Sequence, residues 1–384
     1  MKIGIYISKL QMPTNGGGYT FMFSFLQELL NVKTKHRFYI YYMADNKIEF
    51  EDNNFVKFIK LESQETHKKV LLWKIRKKSG LLKHYLLQHN IDVVFTLYPE
   101  YIDYDCPLFV TIWDYGHKDI PYFPEVYAKG AFESRETLYR YVSSRASRII
   151  VSNNDAKLKT CSYYNVLEDK VITNSLPTPD YVYKLDADNS ILTDLKLQKG
   201  EYIFYPAQFW AHKNHIRIIK ALKILKEKDI NIKAVFSGSD KGNLNYLKQK
   251  IRENKLEDSV LFAGFITKEQ VIALYKNALA LVYASLLGPD NLPPLEAMAL
   301  ECPVLVSDIP GHRIQLKDSC IFFNPMDEND LADKLLKIKN NSYDKNLSTK
   351  GYTLASEYST ENYLKNTLKM FDNFEPILEC WRHV

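Results

Sequence analysis

One stretch of the sequence combines an apolar run, a turn-rich loop and the start of a helix. The run over residues 279–284 is typical of a buried strand, and residues 295–300 favour a helix. The loop between them contains glycine and two prolines, and proline is tolerated in the first helical turn. Because the first N–H groups of a helix lack internal partners and carry the positive end of its dipole, we expect an anionic ligand here.

Glu296 falls in the first turn of this predicted helix. Its carboxylate could accept hydrogen bonds from a vicinal diol such as that of a ribose. An ordinary junction between a strand and a helix is the alternative, in which Glu296 only interacts with the helix dipole. This stretch by itself leaves the two interpretations open.

A second junction of the same kind lies near the amino terminus. The sequence PTNGGGYT, residues 13–20, separates a strand-like run over 2–8 from a segment with helical periodicity over 21–31. The three glycines, 16–18, would let the backbone approach a ligand closely. The pattern is neither GxGxxG nor a Walker loop, which disfavours nucleotide sites of those two kinds. A flexible connection without a ligand is the alternative.

Two further strand ends carry side chains that could do chemistry. Asp114 and His117 follow the predicted strand 108–113 in the sequence TIWDYGHKDIPYFPE, and ligands of open α/β sheets bind beyond such strand ends. His212 and Lys213 follow the predicted strand 202–206 and stand just before a helix. A cation at that position would reinforce the attraction of the helix dipole for a phosphate. A structural role for His117 is the alternative.

Strands and helices alternate along the whole chain, which predicts an α/β protein with parallel sheets covered on both faces. The predicted strands cover 2–8, 37–43, 55–61, 91–97, 108–113, 148–152, 202–206, 233–238, 260–262, 279–284, 303–307 and 320–323. Because the alternation weakens over residues 178–200, we place a domain boundary there. The 384 residues suffice for two domains, 1–180 and 181–359, followed by a helical tail over 360–384.

Composition excludes several functional classes. With 46% hydrophobic and 25% charged residues, and apolar runs of strand length only, the chain has the character of a globular protein without a membrane span. Five dispersed cysteines predict reduced thiols and a cytoplasmic location. The net charge of +5 does not demand an acidic partner, and we predict no nucleic-acid binding. Two Asp-x-Asp triplets, 103–105 and 186–188, follow no convincing buried strand, so no metal site is predicted.

Residues 67–78, HKKVLLWKIRKK, interleave apolar side chains with basic ones. Such a segment could lie on an anionic membrane surface, which would make the protein peripheral on the inner face of the cell membrane. The alternative is a helix that covers the sheet and exposes its basic face to water.

Three stretches together, YPAQFWAHKNH (205–215), the region from GSDKGN to LFAGF (238–265) and GPDNLPPLEAMALECPVLVSDIPG (288–311), resemble the retaining glycosyltransferases of family 4. The glycine loop and the sequence WDYGHKDIPYFPE resemble the same family. That resemblance covers nearly the whole chain and implies the GT-B fold, in which two Rossmann-like domains face a cleft. It also implies that the last helix packs back on the first domain.

The resemblance assigns roles to individual residues of this chain. Lys213 matches the lysine that neutralises the leaving diphosphate, whereas the arginine expected five positions earlier is Gln208. Glu296 matches the glutamate that binds the ribose, whereas the glutamate expected eight positions earlier is Gly288. The remaining donor-binding positions implied are Gly17, Gly18, Gly238, Phe265, Asp290, Asn291 and Leu292. A frequent His-Asp pair reads Trp113-Asp114, so Asp114 and His117 are the remaining catalytic candidates.

The implied reaction is metal-independent transfer of a sugar, with retention, from a nucleotide-diphosphate sugar to a saccharide or lipid-linked acceptor. No cofactor beyond this co-substrate is implied, and cell-surface polysaccharide synthesis is the expected setting. Other enzymes of the same fold, a nucleotide-sugar epimerase or a phosphorylase, are alternatives. Because Gly288 and Gln208 replace charged positions, a catalytically weak partner that binds nucleotide sugar or glycan is a third.

Overall fold

Two parallel β-sheets, each flanked by helices, make up the structure. The computed structural model describes residues 1–8, 16–43, 50–61, 71–102 and 105–381, and over 71–79 it describes the backbone only. The two sheets have seven and six strands. The expected arrangement of two Rossmann-like halves is therefore confirmed.

The first sheet has the strand order β3-β2-β1-β4-β5-β6-β7, and every neighbouring pair is parallel. Its central strands are buried over their whole length because helices cover both faces, which explains their nearly continuous apolar sequences. The strands are β1 Lys2–Ile7, β2 Arg37–Met43, β3 Val56–Leu61, β4 Val93–Thr96, β5 Leu108–Thr111, β6 Ala146–Val151 and β7 Val171–Thr173.

Helices of this half connect β1 to β2, β3 to β4, β5 to β6 and β6 to β7. They are α1 Gly17–Asn31, α2 Leu71–Gln88, α3 Gly116–Asp119, α4 Pro124–Tyr127, α5 Ala131–Arg145 and α6 Asn154–Tyr164. The residues of the predicted basic segment, 67–78, lie outside the described residues except for the backbone of 71–78, which belongs to α2.

The second sheet has the order β10-β9-β8-β11-β12-β13, again parallel throughout. Its strands are β8 Tyr202–Pro206, β9 Lys233–Ser237, β10 Val260–Gly264, β11 Ala280–Tyr283, β12 Val304–Ser307 and β13 Ile321–Phe323. Helices α7 to α15 surround it or precede it in the chain: Tyr181–Lys184, Ser190–Asp194, His215–Glu227, Leu244–Glu253, Lys268–Asn277, Leu292–Ala299, Pro310–Leu316, Glu328–Lys339 and Asn346–Glu357.

The last helix, α16 Thr360–Leu378, returns to the first half of the molecule. Its apolar face carries Tyr363, Phe371 and Phe374, which are buried in the same core as α1 and the first sheet. The Phe371 ring stacks on Phe109 at a centroid distance of 5.4 Å. The core of the first half is therefore completed by the end of the chain.

Most predicted strands are confirmed to within one or two residues, and two local differences have clear causes. Strand β7 was not predicted because it has three residues, too few to show a periodic pattern. Helix α1 begins at Gly17, four residues before its apolar periodicity starts, because the glycines occupy its first turn. The stretch between the two sheets, 174–201, contains the predicted boundary near residue 180.

Each sheet has a point at which the chain reverses its direction of winding, between β1 and β4 in the first and between β8 and β11 in the second. Ligands of open α/β sheets bind at such points, outside the carboxyl ends of the strands. The glycine triplet follows β1, Lys213 follows β8, and the loop 284–291 follows β11. The two halves thus present their ligand-binding edges to a shared cleft.

Candidate functional site

A cleft of about 420 Å³ lies between the two halves of the molecule. Loops from both sheets form its walls. Residues of the first half that line it include Gly16, Gly17, Gly18, Trp113, Asp114, Glu125 and Arg135, and those of the second include Gln208, His212, Lys213, Tyr283, Gly288, Asp290, Asn291 and Leu292. A cleft of this size and mixed polarity suits a small organic ligand.

The glycine triplet brings the start of α1 against the opposite wall. A Cβ atom on Gly17 would lie 3.3 Å from Leu292 Cδ1, which is tighter than ordinary contact, and Gly16 adopts φ +80°. The amides of Gly17 and Gly18 precede the first backbone hydrogen bond of the helix, donated by Tyr19 N–H to the Gly16 carbonyl over 3.1 Å. Among the described residues these two amides have no hydrogen-bond partner, and they belong to the first turn of a 15-residue helix whose positive end faces the cleft.

Lys213 reaches the cleft from a short 3-10 turn, Ala211–Lys213, between β8 and α9. Its ammonium donates to Tyr283 Oη at 3.0 Å and to Ser285 Oγ at 3.3 Å. Tyr283 Oη in turn donates to Asn291 Oδ1 at 2.7 Å. These partners are neutral, so they hold the ammonium in place without cancelling its charge.

Hydrogen bonds hold the loop before α12, and glycine at its start is a steric requirement. Gly288 has φ +142°, and a Cβ atom there would lie 2.3 Å from the Asn291 side chain. Asn291 is held by Gln315, which accepts its N–H and donates to its carbonyl, both over 3.0 Å. Asn291 therefore occupies the space that a longer side chain at position 288 would need.

Asp290 connects this loop to the segment between the two sheets. One of its oxygens accepts the Leu176 N–H at 2.7 Å, and the other is buried with no hydrogen-bond partner among the described residues. Burial raises the pKa of Asp290 to about 7, against the opposing effect of the Leu176 amide. Asp290 thus holds the loop in place more than it supplies a permanent negative charge.

Glu296 lies on α12 but is not among the residues that line the cleft. Its side chain is buried and accepts a hydrogen bond from Tyr275 Oη at 3.1 Å. Burial raises the pKa of Glu296 to about 7, although Tyr275, Tyr181 and Lys268 favour the ionised form. Its contact with a ribose remains a prediction.

Asp114 lines the cleft, whereas His117 does not. Asp114 Oδ1 accepts from Arg135 Nη2 and from the Gly116 N–H, each at 2.6 Å. Burial works to raise the pKa of Asp114, but the Arg135 guanidinium, the Gly116 amide and His212 together outweigh it, so the pKa is lowered. The first half of the molecule therefore contributes an ionised carboxylate that is already paired with a cation.

His117 points into the first half of the molecule and is buried. Its Nε2 lies 3.1 Å from Glu136 Oε2 and 3.0 Å from Tyr164 Oη. Burial, helped by Arg135, lowers the pKa of His117 below the ordinary value of histidine. This position supports the structural alternative and places its ring away from a ligand in the cleft.

Two predicted donor-binding residues also lie outside the cleft lining. A Cβ atom on Gly238 would lie 2.4 Å from the Ala207 carbonyl oxygen, so Gly238 packs directly against the backbone of the loop that carries Gln208. Phe265 is 66% exposed. The structure therefore separates these two from Gly17, Gly18, Gln208, Lys213, Asp290, Asn291 and Leu292, which it brings together.

Glu125 and Arg135 are cleft residues that sequence reasoning did not select. Glu125 Oε1 accepts two hydrogen bonds from His212, one from its backbone N–H at 2.9 Å and one from Nδ1 at 2.6 Å. Burial lowers the pKa of His212. Burial works to raise the pKa of Glu125, but the hydrogen bonds from His212 oppose it and the pKa of Glu125 is lowered. Arg135 is one of several basic residues on an ordinary amphipathic helix, so no local signal marks it.

Within the described ranges, no group of three or more His, Cys, Asp or Glu side chains is arranged to hold a metal ion. No helix in the described part of the chain is long and apolar enough to cross a membrane.

Comparison with known proteins gives a family match and several similar chains. Residues 191–353 match the model of the family described as glycosyl transferases group 1. The chain is 28% identical to the O-antigen chain mannosyltransferase RfbU of Salmonella typhimurium over 54% of each chain. It is 22% identical to the O-antigen chain mannosyltransferase B of Escherichia coli over 79% of this chain and 77% of that one.

Among solved structures, sucrose-phosphate synthase from Thermosynechococcus elongatus is similar to this chain with a TM-score of 0.76 and 16% identity. The superposition covers 98% of this chain and 99% of that one. At this level of identity the likeness bears on the fold alone, and it confirms the GT-B arrangement of two Rossmann-like domains.

Proposed function

We propose that this chain is a retaining glycosyltransferase that resembles family 4 and moves a sugar from a nucleotide-diphosphate sugar to a saccharide or lipid-linked saccharide. The family match over 191–353 and the GT-B fold support a glycosyltransferase. The names of the two mannosyltransferases, both concerned with O-antigen chains, support a role in cell-surface polysaccharide synthesis.

The single observation that carries this proposal is the position of Lys213. Its ammonium is held by two neutral hydroxyls in a cleft that the amino end of α1 also faces. A cation and free backbone amides on opposite walls can bind a diphosphate between them. Gln208, Asn291 and the Leu292 N–H would complete the donor-binding wall, because Pro293 and Pro294 in the first turn of α12 have no N–H to donate.

Breaking the bond between the anomeric carbon and the diphosphate oxygen leaves negative charge on the leaving group. Lys213 and the amides of Gly17 and Gly18 would stabilise that charge, which is the kind of electrostatic effect that dominates many enzymes. The acceptor hydroxyl oxygen forms the new bond on the same face of the sugar, and its proton passes to a diphosphate oxygen. No side chain needs to act as nucleophile and no metal takes part.

The first domain would bind the acceptor. Asp114 is the predicted catalytic residue that lines the cleft, and its ionised carboxylate can accept hydrogen bonds from acceptor hydroxyls. Its pairing with Arg135 fixes the orientation of the carboxylate. His117 would act indirectly, by supporting the loop that carries Asp114.

The replacement of a glutamate by Gly288 is compatible with activity. Because Asn291 fills the space beside Gly288 and bonds to Tyr283, the loop is a packed variant with its own hydrogen bonds. We place the protein in the cytoplasm, and residues 67–78 are the segment that would contact the inner face of the membrane.

A screen of nucleotide-diphosphate sugars, read out as release of nucleotide diphosphate, tests the proposal. We expect one donor to be cleaved by the wild-type protein, faster when a saccharide acceptor is present, with the product linkage retaining the anomeric configuration. Binding of a donor without any cleavage would instead support the alternative of a catalytically weak binding partner. Release of an epimerised nucleotide sugar would support the epimerase alternative.

A further inference from the structure

The contact between Glu125 and His212 joins the two domains at the cleft. Glu125 belongs to α4 of the first domain, and His212 belongs to the turn before α9 of the second. One carboxylate oxygen accepts both the backbone N–H and the imidazole Nδ1 of the same residue. Two hydrogen bonds from one residue to one oxygen hold the turn in both position and orientation.

The turn that carries His212 is also tied to the rest of the second-domain wall. The His212 carbonyl accepts the Leu286 N–H at 2.9 Å, which links the turn to the loop before α12. The Lys213 carbonyl accepts from Tyr205 Oη at 2.8 Å. Movement of His212 would therefore displace both Lys213 and the loop before α12.

The chemistry of the pair fixes the tautomer of His212. Because an ionised carboxylate can only accept hydrogen bonds, Nδ1 carries the proton. The charged groups that act on the ring are Glu125 and Asp114, which favour its protonation, and Lys213, which opposes it; Arg135 pairs with Asp114. The Phe123 ring, immediately before α4, packs edge-on against the imidazole at a centroid distance of 6.3 Å.

We propose that Glu125 and His212 form an interdomain latch that couples closure of the cleft to the placement of Lys213. In this role they are positioning residues, and the inference rests on the proposed transfer reaction. When the domains separate, the turn loses two hydrogen bonds that fix it. When they close, the turn is held where its lysine faces the leaving diphosphate.

Asparagine and glutamine at position 212 test the latch because they mimic different nitrogens of histidine. The amide of Asn places a donor near Nδ1, whereas that of Gln reaches the position of Nε2. We expect His212→Asn to keep turnover within a few-fold of wild type, and His212→Gln and Glu125→Ala to lower kcat by about 10- to 100-fold with a smaller change in the donor KM. Glu133→Gln, an exposed change on α5, is the matched control and should leave the rate unaltered.

The opposite order, with His212→Gln active and His212→Asn inactive, would overturn the latch, because His212 would then act on substrate through Nε2. A readout that needs no activity separates this inference from the proposed function. Amide hydrogen exchange over residues 208–214 should be faster in Glu125→Ala than in the Glu133→Gln control. Unchanged exchange there would refute the latch even if the wild-type enzyme transfers sugar, and absent transfer with accelerated exchange would refute only the proposed reaction.

Discussion

The two walls of the cleft differ in how their charged side chains are paired. In the second-domain wall, Lys213 is held by neutral hydroxyls and keeps its charge for a ligand. In the first-domain wall, Asp114 is paired with Arg135 at 2.6 Å. One wall is thus prepared to meet an anion from outside the protein, whereas the Asp114 carboxylate of the other wall is paired with a cation of its own domain.

This difference indicates which changes should affect turnover and which should affect folding. Removing an uncompensated cation takes away an interaction made with the ligand and leaves no buried charge behind. Removing one member of an internal pair leaves its partner without compensation, which destabilises the folded state. The predictions below test that contrast in order of expected effect.

Lys213→Ala should give the largest effect, a loss of about 10²- to 10³-fold in the rate of nucleotide release, the typical cost of deleting one electrostatic contact to a developing charge. Its unfolding midpoint should stay close to that of the wild type, because no ion pair is broken. Lys223→Ala, on the exposed face of α9, is the control. Near-normal turnover of the Lys213 variant would remove the basis of the proposed function.

Gly288→Ala should destabilise the fold and weaken donor binding, because the new Cβ atom would lie 2.3 Å from the Asn291 side chain. Strain in the backbone and the clash together should cost about 2–4 kcal/mol in the free energy of unfolding, measured by urea denaturation. Gly200→Ala separates the two causes, because Gly200 also has positive φ but no atom within 4 Å of its Cβ position. Equal losses in both variants would show that the clash is unimportant.

Arg135→Ala should lower the free energy of unfolding by about 1–3 kcal/mol, less than a fully buried pair would lose because both side chains are partly exposed. The double change Asp114→Asn with Arg135→Ala should be more stable than Arg135→Ala by itself, since it removes the uncompensated carboxylate. Urea denaturation at neutral pH measures both. A double variant no more stable than the single one would contradict internal pairing of the first-domain wall.

The pH dependence of stability should reveal the buried carboxyls of the second domain. Asp290 and Glu296 have pKa values raised to about 7, so the folded state holds their protons at a pH where the unfolded chain has released them. Stability from these groups is complete below about pH 4 and falls as pH rises to 7, by at most about 4 kcal/mol for Asp290 and about 3 kcal/mol for Glu296.

Glu296→Gln should flatten this dependence between pH 4.5 and 7 because an amide has no proton to lose. Denaturant unfolding of the wild type and the variant at pH 5 and pH 7 measures the change. Parallel pH profiles for the two proteins would show that the carboxyl of Glu296 is ionised in the folded state.

The second-domain wall was predictable because its residues lie in local units of strand, loop and helix. Lys213 follows the end of β8 by seven residues and Asn291 follows the end of β11 by eight, and the parallel sheet then brings those strand ends together. The first-domain wall was predictable only in part. Arg135 sits on α5, 21 residues after its partner Asp114, and Glu125 meets His212 across the domain interface.

His117 shows the same limit of sequence reasoning, in a residue that was selected but does not line the cleft. It lies three residues from Asp114 in the sequence, yet the short helix α3 turns its ring toward Glu136 and Tyr164. Sequence proximity after a strand places residues at the same edge of a sheet. It does not decide which of them faces the cleft, because each residue in a helix points about 100° away from the residue before it.

The sequence by itself determined the alternation of strands and helices, the two glycine-containing junctions and the lysine that faces the cleft, because each depends on residues close together in the chain. The tertiary structure decided which carboxylates are paired, which are buried with raised pKa values, and how the two domains touch. Those properties depend on the distance between residues of separate elements and on the water that packing excludes, and a linear pattern records neither.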